Sequence, residues 1–199
     1  MNSRDIPITD IPMAVWDQVE NSLRHYFVPI LAVWKHERVS DLKLIGSGTL
    51  INIDGKGYIL TAAHVWGAAA GADALHLLMM AGRAKVEIPY ANISGRTVWD
   101  REGPEEWGPD LALLEIPPPQ LTTIKAYKSF LNFEQQLADH SENPPKIENS
   151  FWAIYGVVGE FSKVSVDHKR RSFDAELEPF PIIRDHIRRR RNSFRIPLV

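Results

Sequence analysis

Two residues carry the chemistry this sequence offers. His64 closes the run Tyr58-Ile59-Leu60-Thr61-Ala62-Ala63-His64, and Asp110 opens Asp110-Leu111-Ala112-Leu113-Leu114. An imidazole titrates near neutral pH and takes a proton from a hydroxyl within hydrogen-bond reach. A carboxylate on its far side fixes the tautomer and stabilises the imidazolium that forms. Ala62 and Ala63 are small, so the His64 ring is expected to turn inward at the end of a strand. Leu111, Leu113 and Leu114 beside Asp110 are expected to exclude water and strengthen its pull on an imidazole. Asp73 and Asp100 are alternative carboxylates. Asp100 ranks below Asp110 because Val98-Trp99-Asp100-Arg101-Glu102 reads as a charged, exposed turn.

The elements that must position this pair are mostly strands. Val15, Trp16, Val19, Leu23 and Tyr26 share one helical face, with Asp10 as the expected cap and Pro12 in the first turn. From residue 27 onward β-type runs take over: Phe27 to Trp34, Lys43 to Ile53, Gly57 to Thr61, Leu75 to Met80, Ala84 to Tyr90, Thr97 to Trp99 and Asp110 to Ile116. Asp54-Gly55-Lys56-Gly57 signals a tight hairpin. Ala68 to Ala74 is compatible with a single helical turn. Short strands with turn signals between them predict an antiparallel barrel. Pro117-Pro118-Pro119 reads as a linker, placing a boundary near residues 117–120. Beyond it come a short helix near Ser129 to Ala138, a strand from Phe151 to Val158 and a hairpin within Ser162 to Leu177. No internal repeat is evident.

Composition narrows the classes. The chain has 199 residues, 44% hydrophobic and 24% charged, with a formal net charge of −2. That balance gives no pull toward nucleic acid or an anionic membrane. There is no cysteine, which excludes disulfides, thiol nucleophiles and Cys-ligated metals. His25, His36, His64 and His76 are scattered and lack metal-ligand spacing, so no metal and no cofactor is expected. No nucleotide-binding glycine motif is present either. Trp66, Trp99 and Trp107 can line a groove or simply pack. No signal segment or membrane span is visible, so a cytoplasmic protein is expected.

Gly46-Ser47-Gly48-Thr49-Leu50, Thr61-Ala62-Ala63-His64 and Asp110-Leu111-Ala112-Leu113-Leu114 together resemble the N-terminal half of a trypsin-like (chymotrypsin-fold) serine peptidase. The match covers residues 27–116. Phe151-Trp152-Ala153-Ile154-Tyr155-Gly156 resembles, less specifically, the first strand of that family's second barrel. Histidine and aspartate lie 46 residues apart, against about 45 in the chymotrypsin-type triad. The resemblance implies a mostly β double barrel: residues 1–116 form a short helix and a complete first barrel carrying His64 and Asp110. Residues 117–199 would form a linker, an incomplete second barrel and an Arg-rich tail.

The resemblance also implies a serine in a Gly-x-Ser-Gly-Gly loop, whose glycines let backbone N–H groups form an oxyanion hole. About 93 residues separate aspartate from serine in that triad, which places the nucleophile near position 203. No serine after Asp110 is followed by glycine, and the last glycine is Gly159. Ser193 sits near the expected place, but Asn192-Ser193-Phe194 offers no oxyanion-hole chemistry and makes it a poor candidate. Arg188-Arg189-Arg190-Arg191 is a like-charged block that stays solvated. The expectation is a serine endopeptidase acting on a peptide or protein substrate, truncated before its nucleophile and inactive as this chain. The alternative is a non-catalytic protease-like barrel that binds a peptide or protein partner.

Overall fold

The computed structural model describes residues 12–36, 40–79, 84–98, 110–143, 153–157, 163–167, 172–177, 179–183, 186–187 and 192–197. Helix α1 (Met13–Arg24) leads into strands β1 (Phe27–Lys35), β2 (Ser40–Ile53) and β3 (Lys56–Thr61). Helix α2 (Ala63–Ala68) precedes β4 (Ala74–Met79) and β5 (Ala84–Pro89). A 3-10 turn, Tyr90–Asn92, joins β5 to β6 (Ser94–Val98), and β7 (Leu111–Glu115) follows. Helix α3 (Pro118–Lys125), strand β8 (Leu131–Asn132) and helix α4 (Phe133–Glu142) come next. The remaining described elements are β9 (Ala153–Val157), β10 (Lys163–Asp167), β11 (Ser172–Leu177), β12 (Pro179–Ile183), β13 (His186–Ile187) and β14 (Asn192–Pro197).

The fold is mostly β. Seven strands pair antiparallel in the order β5-β4-β1-β2-β3-β7-β6, and β8 adds to β2 in parallel. Among the described residues the edges β5 and β6 are not hydrogen-bonded to each other, so the sheet is not closed. Those edges are consecutive in the chain and meet at the Tyr90–Asn92 turn. Between them the sheet curls round one core. Val28, Ile30, Leu50, Ile59, Leu77 and Leu114, from five different strands, are buried together. Each such side chain contributes about 1.5–3 kcal/mol by leaving water. Two smaller sheets, β10-β11-β14 and β13-β12-β9, follow. Strand β9 lies against β1 and β2, and the Val157 N–H donates to Ser47 Oγ at 3.4 Å.

Local sequence explains most of the strands. In β7, Ala112 and Leu114 are buried while Leu111 points out, the period of two that a one-sided strand requires. In β5, Val86 and Ile88 are buried between exposed neighbours. β1 is buried on both faces from Phe27 to Val33, as befits the middle of a sheet packed on both sides. Asp54 and Gly55 have φ of 49° and 77°, and Ile53 pairs with Lys56. This is the two-residue turn whose twist suits a hairpin.

The departures are local. Pro117-Pro118-Pro119 is not a spacer: Pro117 caps α3, with proline in its first positions. Proline is tolerated there because the first-turn N–H groups have no intrahelical partner. Ile124 of α3 is fully buried in the core, with Leu121 and Phe130 packed against it. The helix expected from Ser129 starts at Phe133, because Leu131 and Asn132 pair with β2 and Asn132 then caps α4. On α1 the buried residue is Glu20, while Val15 is exposed. Pro12 is the cap rather than a first-turn residue, and Asp10 lies outside the described residues. The single turn expected at Ala68 to Ala74 begins earlier, as α2. The hairpin expected within Ser162 to Leu177 is present as β10 and β11.

The loop after α3 also ties down α1. Lys128 is buried, and its Nζ donates to Arg24 O at 2.8 Å, at the last turn of α1 where carbonyls lack intrahelical partners. Ser129 N–H donates to His25 O at 3.0 Å. Burial, assisted by the nearby Arg24 charge, pushes the Lys128 ammonium down to about 8 from 10.5. Between those two pH values the unfolded chain binds the proton that the folded chain has released. Stability therefore rises with pH across this window. The Lys128→Met variant should lack that rise, which urea unfolding of both proteins at pH 8 and at pH 10 will measure.

Candidate functional site

Helix α2 carries His64 in its first turn, after Ala62. It is six residues long and its cap residue Ala62 makes no side-chain hydrogen bond. A helix this short does not hold itself in place. Asp110, immediately before β7, supplies what Ala62 lacks. Its backbone oxygen accepts the Ala63 N–H at 3.2 Å, and its Oδ1 accepts the His64 N–H at 2.9 Å. Its Oδ2 hydrogen-bonds His64 Nδ1. The approach is set by the β3–β7 ladder, in which Thr61 pairs with Ala112.

This geometry decides the proton positions. The hydrogen bond from the His64 ring, helped by the His64 backbone N–H, holds the Asp110 carboxyl below its ordinary 3.8. An ionised carboxylate only accepts hydrogen bonds, so Nδ1 of His64 carries the hydrogen of the pair. In the neutral ring, Nε2 is then the basic nitrogen. A positioned imidazole with a basic Nε2 and a carboxylate behind it is the arrangement that general-base catalysis uses.

Gly46 of β2 receives α2 directly, and Ser47 and Gly48 fit the strand β3 that leads into it. The β1–β2 register shifts at Ile45, directly before Gly46. A Cβ on Gly46 would sit 2.6 Å from Val65 Cγ2, so glycine there makes room for the residue after His64. The Ser47 carbonyl accepts the Thr61 hydroxyl at 2.7 Å, fixing the end of β3 just before Ala62 and Ala63. A Cβ on Gly48 would collide with Ile59 and with the Leu60 carbonyl. The bridging roles of Ser47 and Thr61 were not read from sequence. The Gly-Ser-Gly pattern was visible, but its bonding partners lie in other strands.

Two expectations are corrected. The His64 ring does not turn inward: its side chain is 73% exposed, because α2 gives its buried positions to Ala63 and Val65. Asp110 is not shielded by its leucines: it is 51% exposed, because it precedes the strand and its neighbour Leu111 points outward. Among the alternatives, the Asp73 carboxylate accepts the Lys35 backbone N–H at 2.6 Å, a tie between β1 and the start of β4. Asp100, Trp99 and Trp107 lie outside the described residues. Ser193 falls in β14, in register with Glu176 of β11, in a different sheet from the one that ends at Asp110.

Two of the other histidines meet carboxylates of their own. His36 meets Asp41 at 3.4 Å, and His76, buried on β4, meets Glu87 of β5 at 2.9 Å. Burial, reinforced by the Lys85 charge, lowers the His76 pKa against the opposing pull of Glu87. Among the described residues no group of three or more His, Asp or Glu is placed to hold a metal ion, and no helix is long and apolar enough to cross a membrane. Compared with known proteins, the chain matches no protein-family model and no curated protein.

The low Asp110 pKa makes a prediction about acid. The carboxylate–imidazole pair stabilises the fold fully above pH 3.8 and loses that contribution as the pH falls through the lower folded-state value. In His64→Ala the Asp110 carboxyl should titrate closer to 3.8, followed by carbon-13 NMR of the side-chain carboxyl. An unchanged Asp110 titration in that variant would show that the ring is not its principal partner.

Proposed function

We propose that this chain carries the general base and its orienting carboxylate of a trypsin-like serine endopeptidase. The observation that carries this reading is the two-point hold of Asp110 on His64, through both the ring Nδ1 and the backbone N–H. Support also comes from the Gly46-Ser47-Gly48 strand beneath α2 and the order histidine then aspartate. In this reading β5 and β6 are one strand bent at Tyr90–Asn92, which completes a first barrel, and β9 to β14 belong to an incomplete second barrel. A serine hydroxyl would give its proton to Nε2 as its oxygen attacks a peptide carbonyl, and His64 would pass that proton to the departing amine. Asp110 would stabilise the imidazolium in between. No cofactor or metal takes part, the substrate is a peptide or protein, and the setting is cytoplasmic.

The nucleophile is not identifiable within residues 1–199. A specific observation therefore favours a second reading: of the serines after Asp110, none is followed by glycine. The serines within residues 1–199 offer no Gly-x-Ser-Gly-Gly loop to supply the covalent step or the oxyanion hole. The second reading is a protease-like module that binds a peptide or protein partner without cleaving it.

The two readings separate at the nucleotide level and in the test tube. The peptidase reading expects a Gly-x-Ser-Gly-Gly sequence in one of the three frames downstream of codon 199, and its absence from all three leaves the binding module. For the 199-residue polypeptide itself, a fluorophosphonate probe should give no covalent labelling. Labelling that disappears in His64→Ala would instead reveal a nucleophile inside this chain.

A further inference from the structure

Helix α2 is fastened through three consecutive residues to three different strands. His64 is held by Asp110 at the start of β7, and Val65 is buried on Gly46 of β2. Trp66 points the third way. Its indole lies so close to β6 that a Cβ on Gly95 would sit 2.7 Å from Nε1. The ring also stacks on Tyr90, with centroids 4.7 Å apart and planes 18° from parallel. Tyr90 opens the 3-10 turn after β5, and Gly95 lies in β6, so Trp66 is wedged at the corner where the two sheet edges meet.

We infer that Trp66 is a positioning residue for His64, clamping α2 to the β5–β6 corner so that the imidazole stays aligned with Asp110. The Asp110 bonds hold α2 only at its first two residues, Ala63 and His64. Rotation of the short helix about that end would swing the ring off the carboxylate while leaving the backbone bonds strained but made. Val65 packs on β2 and Trp66 on β6, so the helix is braced against two further strands. The stacking with Tyr90 adds attraction beyond the area it covers. Gly95 is required at its position because any larger residue would drive the indole out.

The role rests on reading His64 as a base, but its test needs no substrate, so its failure and that of the peptidase reading are separate events. The readout is the tautomer of neutral His64, taken above the usual imidazole titration range from two-bond couplings between ring protons and nitrogen-15. The parent chain should show the Nδ1–H form predominating, and Asp110→Asn should abolish that preference. Trp66→Ala should shift His64 to predominantly Nε2–H while the amide spectrum stays dispersed, and Trp66→Phe should restore Nδ1–H by restacking on Tyr90. An unchanged tautomer in folded Trp66→Ala would overturn the inference, as would equal shifts in the alanine and phenylalanine variants. Should Trp66→Ala not fold, Gly95→Ala decides: displacement of the indole should shift the tautomer in the same direction, and an unshifted tautomer overturns the clamp.

Discussion

A single carboxylate, placed by a distant strand, does two jobs at the start of α2. The first N–H groups of any helix lack intrahelical acceptors, and the residue before the helix ordinarily supplies one with its side chain. Ala62 has nothing to offer, so Asp110 caps the helix from 46 positions away. The same carboxylate takes the ring Nδ1 of the second helical residue. Capping and tautomer selection are therefore one interaction, and removal of Asp110 loosens the helix as well as the imidazole. The rest of the large sheet sets this distance: β3 must pair with β7 for Asp110 to arrive under Ala63 and His64.

The electrostatics of the pair are modest as it stands. With both side chains more than half exposed, water and salt screen the attraction, and directional hydrogen bonds rather than field strength hold the ring. Acyl-transfer chemistry places the developing charge in a site from which water is largely excluded. The surface around Asp110 is suited to being covered. Leu111 follows it directly and is 42% exposed, and Val98, its register partner on β6, is 52% exposed.

Where the structure was legible in sequence, the signal was local. The Asp54-Gly55 turn and the strands β5 and β7 follow from neighbouring residues. What escaped was decided by long-range partners. Ala63 to Ala68 has no cap and no apolar period, so its helix exists because Asp110, Gly46 and Gly95 receive it. Pro117-Pro118-Pro119 fits both a linker and a helix start, and the buried Ile124 five residues after the run decides between them. The exposure of His64 was misjudged for a related reason. Within a strand, small neighbours would have left it room to turn inward, whereas within a helix they take the inward positions themselves.

The Gly-Ser-Gly run on β2 illustrates how a motif can have a structural cause as well as a chemical one. Gly46 makes space for Val65, and Gly48 makes space for Ile59 and the Leu60 carbonyl. Between them Ser47 joins two bodies: its carbonyl receives Thr61 from the site's own sheet, and its hydroxyl receives the Val157 N–H from β9. A barrel that only binds a partner would need the same three residues to seat the same helix. The motif is thus a requirement of the scaffold under His64 and is indifferent to whether a bond is ever broken above it. What the ring can do as a base falls to Nε2, the nitrogen that Asp110 does not take.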